Sequence, residues 1–163
     1  MKINTIIYAS DLGLGSRPAF RAAIEQAKAH SAQIIYLHVV EPLDGATEEI
    51  INDYLPESVS RSRLAKIFTE RMQRIEQRLI DFHDEELSEE DAKLIDEPTI
   101  QVLQGVPDKC IVKAARMFNA DLIVMGDRES SSLSRIFLGS TAQKVIHHSV
   151  CPVLIVPLKG TSE

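Results

Sequence analysis

Residues 121–126 read DLIVMG, and every residue between Asp121 and Gly126 is apolar. A strand with one wet face alternates apolar and polar residues, whereas a strand covered on both faces does not. Four further runs have this buried character: residues 3–9 (INTIIYA), 33–40 (QIIYLHVV), 99–103 (TIQVL) and 152–156 (PVLIV). The stretches between them read as helices. Ser16 is placed to cap a helix opened by Arg17-Pro18 and continued by Ala19, Ala22, Ala23, Ala27 and Ala29. From Ser62 a long helix carries Leu64, Ile67, Phe68, Ile75, Leu79 and Phe82 on one apolar face, interrupted by Arg71. Gly105-Val106-Pro107 turns into a helix bearing Ile111, Val112, Ala115 and Met117, and residues 140–148 form a shorter one. Strands and helices therefore alternate. That pattern predicts an α/β fold: an open five-stranded parallel sheet with helices on both faces and right-handed crossovers.

The chain has 163 residues, the size of one domain, and residues 1–163 are read as such. Aromatic residues make up 5% with no Trp, which disfavours a stacking platform for single strands of nucleic acid. The net charge of -6 lacks the basic footprint of a duplex binder. Residues 81–97 hold nine acidic side chains and one base, Lys93, so this insertion-like segment carries -8 and the remainder +2. It reads as a solvated loop. Cys110 and Cys151 match no metal or redox spacing and read as thiols of a reducing compartment. No apolar run reaches the roughly 20 residues that span a bilayer, and no secretory signal opens the chain, so the expected location is the cytoplasm.

Open parallel sheets bind ligands at the carboxyl ends of their strands. That rule selects Ser10-Asp11, Val39-Val40, Gly105 and the segment starting at Gly126. Gly139-Ser140-Thr141, at the start of the last helix, offers backbone N–H groups, hydroxyls and the positive end of a helix dipole, the components of a phosphate site. The alternative is local: Ser140 caps the helix, Gly139 turns the chain, and Asp11 caps an Asx turn. His38 reads as a packed histidine. The consecutive His147-His148 do not face one way on a helix, so they make no metal pair. Ser130, Ser131 and Ser132 read as a polar loop, with phosphorylation as the other possibility. No P-loop lysine follows the glycines, and no Ser-His-Asp set can be assigned.

In order and spacing, these pieces resemble the universal stress protein family over nearly the whole chain. The resemblance rests on Asp11 at a strand end, Leu37-His38-Val39, Gly105-Val106-Pro107 with Ile111 and Ala115, and 120–126. It continues through Leu138-Gly139-Ser140-Thr141-Ala142, Lys144-Val145 and 151–157. It implies a Rossmann-like fold of the adenine nucleotide alpha hydrolase type, strand order 3-2-1-4-5. It also implies a homodimer joined through strand 152–156, an edge that should be covered or paired.

The nucleotide-binding branch of the family has a glycine, two residues, a second glycine, nine residues, then Gly-Ser or Gly-Thr. Gly126 and Gly139-Ser140 keep that spacing, but the second glycine is Glu129. A carboxylate there repels a triphosphate unless it faces away or shares a divalent cation, and Arg128 and Arg135 in the same segment offset it. The mapping implies ATP with Mg or Mn as the ligand. Asp11 and Val39 then line the adenine and ribose end, Gly126 lies under the ribose-phosphate, and Gly139, Ser140 and Thr141 hold phosphates. The expected function is a stress-resistance or regulatory module whose activity is binding, not an enzyme; hydrolysis, if any, is slow. Beside it stand a dimeric interaction scaffold without nucleotide, motivated by Glu129 and the acidic segment, and an enzyme on the same fold, for which no nucleophile or base can be named.

Overall fold

A computed structural model describes residues 1–13, 15–42, 57–128 and 138–158. Five strands, β1 (Thr5–Ala9), β2 (Gln33–Val40), β3 (Thr99–Gln104), β4 (Leu122–Arg128) and β5 (Val153–Leu158), form one sheet in the order β3-β2-β1-β4-β5. Every pairing is parallel, with Ile7 opposite both Ile35 and Ile123. The helices are α1 (Arg17–His30), α2 (Glu57–Glu86), the short α3 (Glu89–Ala92), α4 (Pro107–Met117) and α5 (Ser140–His148).

The period of two along each central strand divides the core. Ile6, Tyr8, Ile34, Tyr36, Leu122 and Val124 face the side covered by α1, where Phe20, Ala23, Ile24 and Ala27 are buried. Ile7, Ile35, Leu37, Ile123 and Met125 face the other side, against Ile111, Ala114 and Ala115 of α4 and Ala142 and Val145 of α5. Both faces of these strands are dry, which is why their sequences do not alternate polar and apolar.

The long helix differs from expectation in two ways. It starts at Glu57, five residues before Ser62, and its apolar stripe is buried only towards its C-terminal half. Ile75 and Leu79 pack on Val40, while Ile67 is 54% exposed. Phe82 meets Phe20 edge to face at 5.0 Å, and His83 shares a 2.8 Å hydrogen bond with the Tyr36 hydroxyl.

The acidic segment is not a loop. Helix α2 runs through Asp81, Asp84, Glu85 and Glu86, and α3 follows at once. Ser88 caps α3 by accepting the Asp91 N–H at 3.1 Å, and Glu89, Glu90 and Asp91 suit the positive end of the helix. Leu87 and Ile95 pack against the core, and Arg17 and Lys28 of α1 meet Glu86 and Asp91 at 2.6 and 2.8 Å. Two apolar anchors and two opposite charges thus dock this segment on α1.

Ser16 does not cap α1 through its side chain. It lies in helical conformation (φ -70°, ψ -13°), is buried, and its carbonyl accepts the Phe20 N–H. Strand β4 runs three residues past Met125, because Gly126, Asp127 and Arg128 pair with Val156, Pro157 and Leu158 of β5.

Candidate functional site

The carboxyl ends of β1, β2 and β4 open into a cleft of about 640 Å³, a volume suited to a small organic ligand. Asp11, Val39, Gly126, Gly139, Ser140 and Thr141, the six residues selected from the sequence, all line it. Glu129 and Arg135 lie outside the described residues.

One wall is the end of β1. Ser10 is buried, donates its backbone N–H to the Leu37 carbonyl oxygen at 2.8 Å, and accepts the Leu12 N–H on Oγ at 3.1 Å. Asp11 Oδ1 accepts the Gly13 N–H at 3.0 Å, so the local Asx-turn role is present. Asp11 also lines the cleft. Leu12 is held at φ 56°, a left-handed conformation that costs an ordinary residue about 1–2 kcal/mol. These side-chain bonds fasten the turn.

His38 is more than a packed residue: it lines the cleft. Its Nδ1 lies 2.7 Å from the Ser10 carbonyl oxygen. A carbonyl only accepts, so Nδ1 carries the proton and Nε2 is the acceptor of the neutral ring. The bond ties the end of β2 to the β1 turn. Tyr8, beneath it, is fully buried, and burial raises its phenol above the usual value, so it stays protonated.

The opposite wall joins β4 to α5. Period-two alternation sends Gly126 to the α1 side and Asp127 to the side of Ile123 and Met125, where α5 packs. A Cβ on Gly126 would meet Leu158 Cδ1 and would lie 2.8 Å from its Cγ. A side chain at position 126 would thus crowd the Leu158 side chain that crosses over it, a packing constraint separate from any ligand. On the other side, Asp127 Oδ1 accepts the Gly139 N–H at 2.9 Å, and a Cβ on Gly139 would sit 2.7 Å from that same oxygen. The N-cap of α5 is Gly139, so Ser140 is the first helical residue and not a cap.

Sequence reasoning missed three charged residues of the cleft, Arg71, Asp127 and Glu41. Arg71, read there as a break in the α2 stripe, extends it. Residues 71, 75 and 79 are spaced four apart, Ile75 and Leu79 pack on Val40, and Arg71 lies one turn beyond, lining the cleft. Its place on an apolar stripe was the available signal. Asp127 could have been found by counting alternation from Ile123. Together with Glu41, the charged lining among the described residues is three carboxylates and one guanidinium.

The lining includes the apolar side chains of Val39, Ile111 and Met125 and the polar segment Gly139–Thr141. Among the described residues no group of three or more His, Cys, Asp or Glu side chains is arranged to hold a metal ion. No helix among them is long and apolar enough to cross a membrane.

Comparison with known proteins agrees with this architecture. The model of the universal stress protein family matches residues 2–157. A universal stress protein of Thermus aquaticus, named for its place in the 3' region of a QAH/OAS sulfhydrylase gene, is 34% identical over 152 residues, 93% of this chain and 97% of its own. Among solved structures, a universal stress protein in complex with cAMP superposes with TM-score 0.56 at 18% identity, covering 98% of this chain and 100% of that one. The Archaeoglobus fulgidus protein in complex with dAMP does so with TM-score 0.52 at 19% identity, with the same coverage. At these identities the two structures speak for the fold.

Proposed function

This chain belongs to the universal stress protein family, and on that premise we propose that it is a regulatory module that binds an adenine nucleotide in the cleft at the strand ends. The observation that carries the reading is the composition of that cleft. Its lining combines apolar side chains, Val39, Ile111 and Met125, with the polar β4–α5 junction at Gly139–Thr141 and the exposed carboxylate of Asp11. The first suits a purine, the second the phosphate end, and the third a ribose hydroxyl. Family relatives of the same fold are named as complexes with cAMP and dAMP, which supports an adenine ligand.

Binding is the proposed activity. Any hydrolysis of a bound nucleotide is, in this proposal, slow. Where the ligand is ATP, Mg or Mn fits as its companion. The oxygen donors Asp11 and Asp127 suit a hard cation that takes one carboxylate, phosphate oxygens and water, whereas a cage built from protein alone is missing among the described residues. A cytoplasmic location belongs to the same proposal, supported by two free thiols. So does a homodimer through β5, which pairs with β4 on one side and is half-buried from Val153 to Val156.

The test is thermal unfolding of dialysed protein with and without adenine nucleotides. A ligand at 100 times its Kd stabilises the fold by about 2.7 kcal/mol, which moves the midpoint by several degrees. No shift with adenosine, AMP, cAMP or ATP at millimolar concentration contradicts the proposal.

A further inference from the structure

The N-terminus of a helix attracts an anion because its first N–H groups lack partners and its dipole is positive there. At α5 that anion is already present in the chain. Asp127 Oδ1 takes the Gly139 N–H at 2.9 Å, and the approach is close enough that a Cβ on residue 139 would lie 2.7 Å from the same oxygen. A phosphate arriving at this junction meets a carboxylate where it needs a donor. Elsewhere in the cleft Asp11 and Glu41 add negative charge, and Arg71 adds a guanidinium.

We propose that Asp127 is a built-in anion that sets the charge of the ligand. The cleft takes an adenine nucleoside or a nucleotide with one negative charge, such as a cyclic monophosphate, and discriminates against free triphosphate. The inference rests on the nucleotide-binding function proposed above and specifies which nucleotides it selects. Arg71 offsets the charge of a monoanion in part, and a neutral nucleoside avoids the repulsion altogether. A triphosphate brings three or four negative charges and must displace Asp127 to reach the Gly139 N–H. Like charges brought close together disfavour the complex, and a divalent ion relieves part of that repulsion.

The experiment titrates adenosine, cAMP and ATP in the presence of EDTA, then ATP with Mg, into wild type, Asp127→Asn and Asp127→Ser. Asp127→Asn keeps the shape and the acceptor for Gly139 while removing the charge. Asp127→Ser removes the charge and shortens the side chain, so the Gly139 N–H is released. The expected result for wild type is adenosine and cAMP bound about tenfold or more tightly than metal-free ATP. Each variant gains about tenfold for metal-free ATP while adenosine affinity stays unchanged. Metal-free ATP bound by wild type as tightly as adenosine overturns the proposal. So does unchanged ATP affinity in both variants while adenosine still binds, a result that leaves the nucleotide site standing. Absence of binding by every ligand to all three proteins overturns the nucleotide site and this proposal together.

Discussion

The Oδ1 of Asp127 accepts the backbone N–H of Gly139 at 2.9 Å, joining the end of β4 to the start of α5 across 12 positions of sequence. The contact is close at the glycine, because the Cβ of any other residue would lie 2.7 Å from that oxygen unless the carboxylate shifts. Gly139→Ala is expected to push the carboxylate away, break the bond and lower stability by about 1–2 kcal/mol. Urea unfolding checks this. An unchanged midpoint means that the bond does not hold the junction together.

Gly126 is governed by packing. Ala there places a methyl group against the buried Leu158 side chain. The expected cost of Gly126→Ala is about 1–3 kcal/mol of overpacking. Leu158→Ala removes the obstacle, so the double variant should lose less than the sum of the two single variants. Strict additivity in a denaturation cycle contradicts the steric account and returns Gly126 to a ligand role.

Arg71 is exposed and reaches the cleft from α2. Arg71→Ala is expected to weaken cAMP about three- to tenfold, a modest loss because the charge is solvated, and to leave adenosine unaffected. Calorimetric titration of both ligands provides the comparison. Equal losses for the two would assign Arg71 a packing role instead.

His83 gives the fold a pH dependence. Burial beside Tyr36 pushes its imidazole below the usual 6.5, with Asp84 and Glu97 partly offsetting this. A folded value lower than the unfolded one means that the unfolded chain takes up the proton first. Stability then falls as pH drops below about 6.5, until the folded-state value is passed. His83→Gln should flatten this part of the profile. Unfolding midpoints measured from pH 7.5 to 5 for both proteins test it, and parallel profiles contradict it.

The strands were legible because strands dry on both faces are written as unbroken apolar runs. The cleft was legible because parallel sheets expose their carboxyl ends. What stayed hidden depended on contacts between distant residues. Arg71 breaks an apolar stripe when α2 is viewed alone and extends it once Val40 is seen beneath Ile75. The acidic segment has the composition of a solvated loop, but Leu87 and Ile95 anchor it and Arg17 and Lys28 neutralise its inner edge. Gly126 carries a motif position and a packing constraint at once, and only the Leu158 contact separates them. Nothing local in the sequence marks Asp127 as the partner of Gly139.

The central claim is that the cleft at the strand ends binds an adenine ligand. Isothermal titration of dialysed protein with cAMP, run beside Val39→Trp, tests it most directly, because the indole adds bulk to the apolar lining of the cleft. The account predicts saturable binding by wild type and loss of binding by Val39→Trp with the fold retained. Absence of heat at millimolar cAMP, or equal affinity in the two proteins, would contradict it.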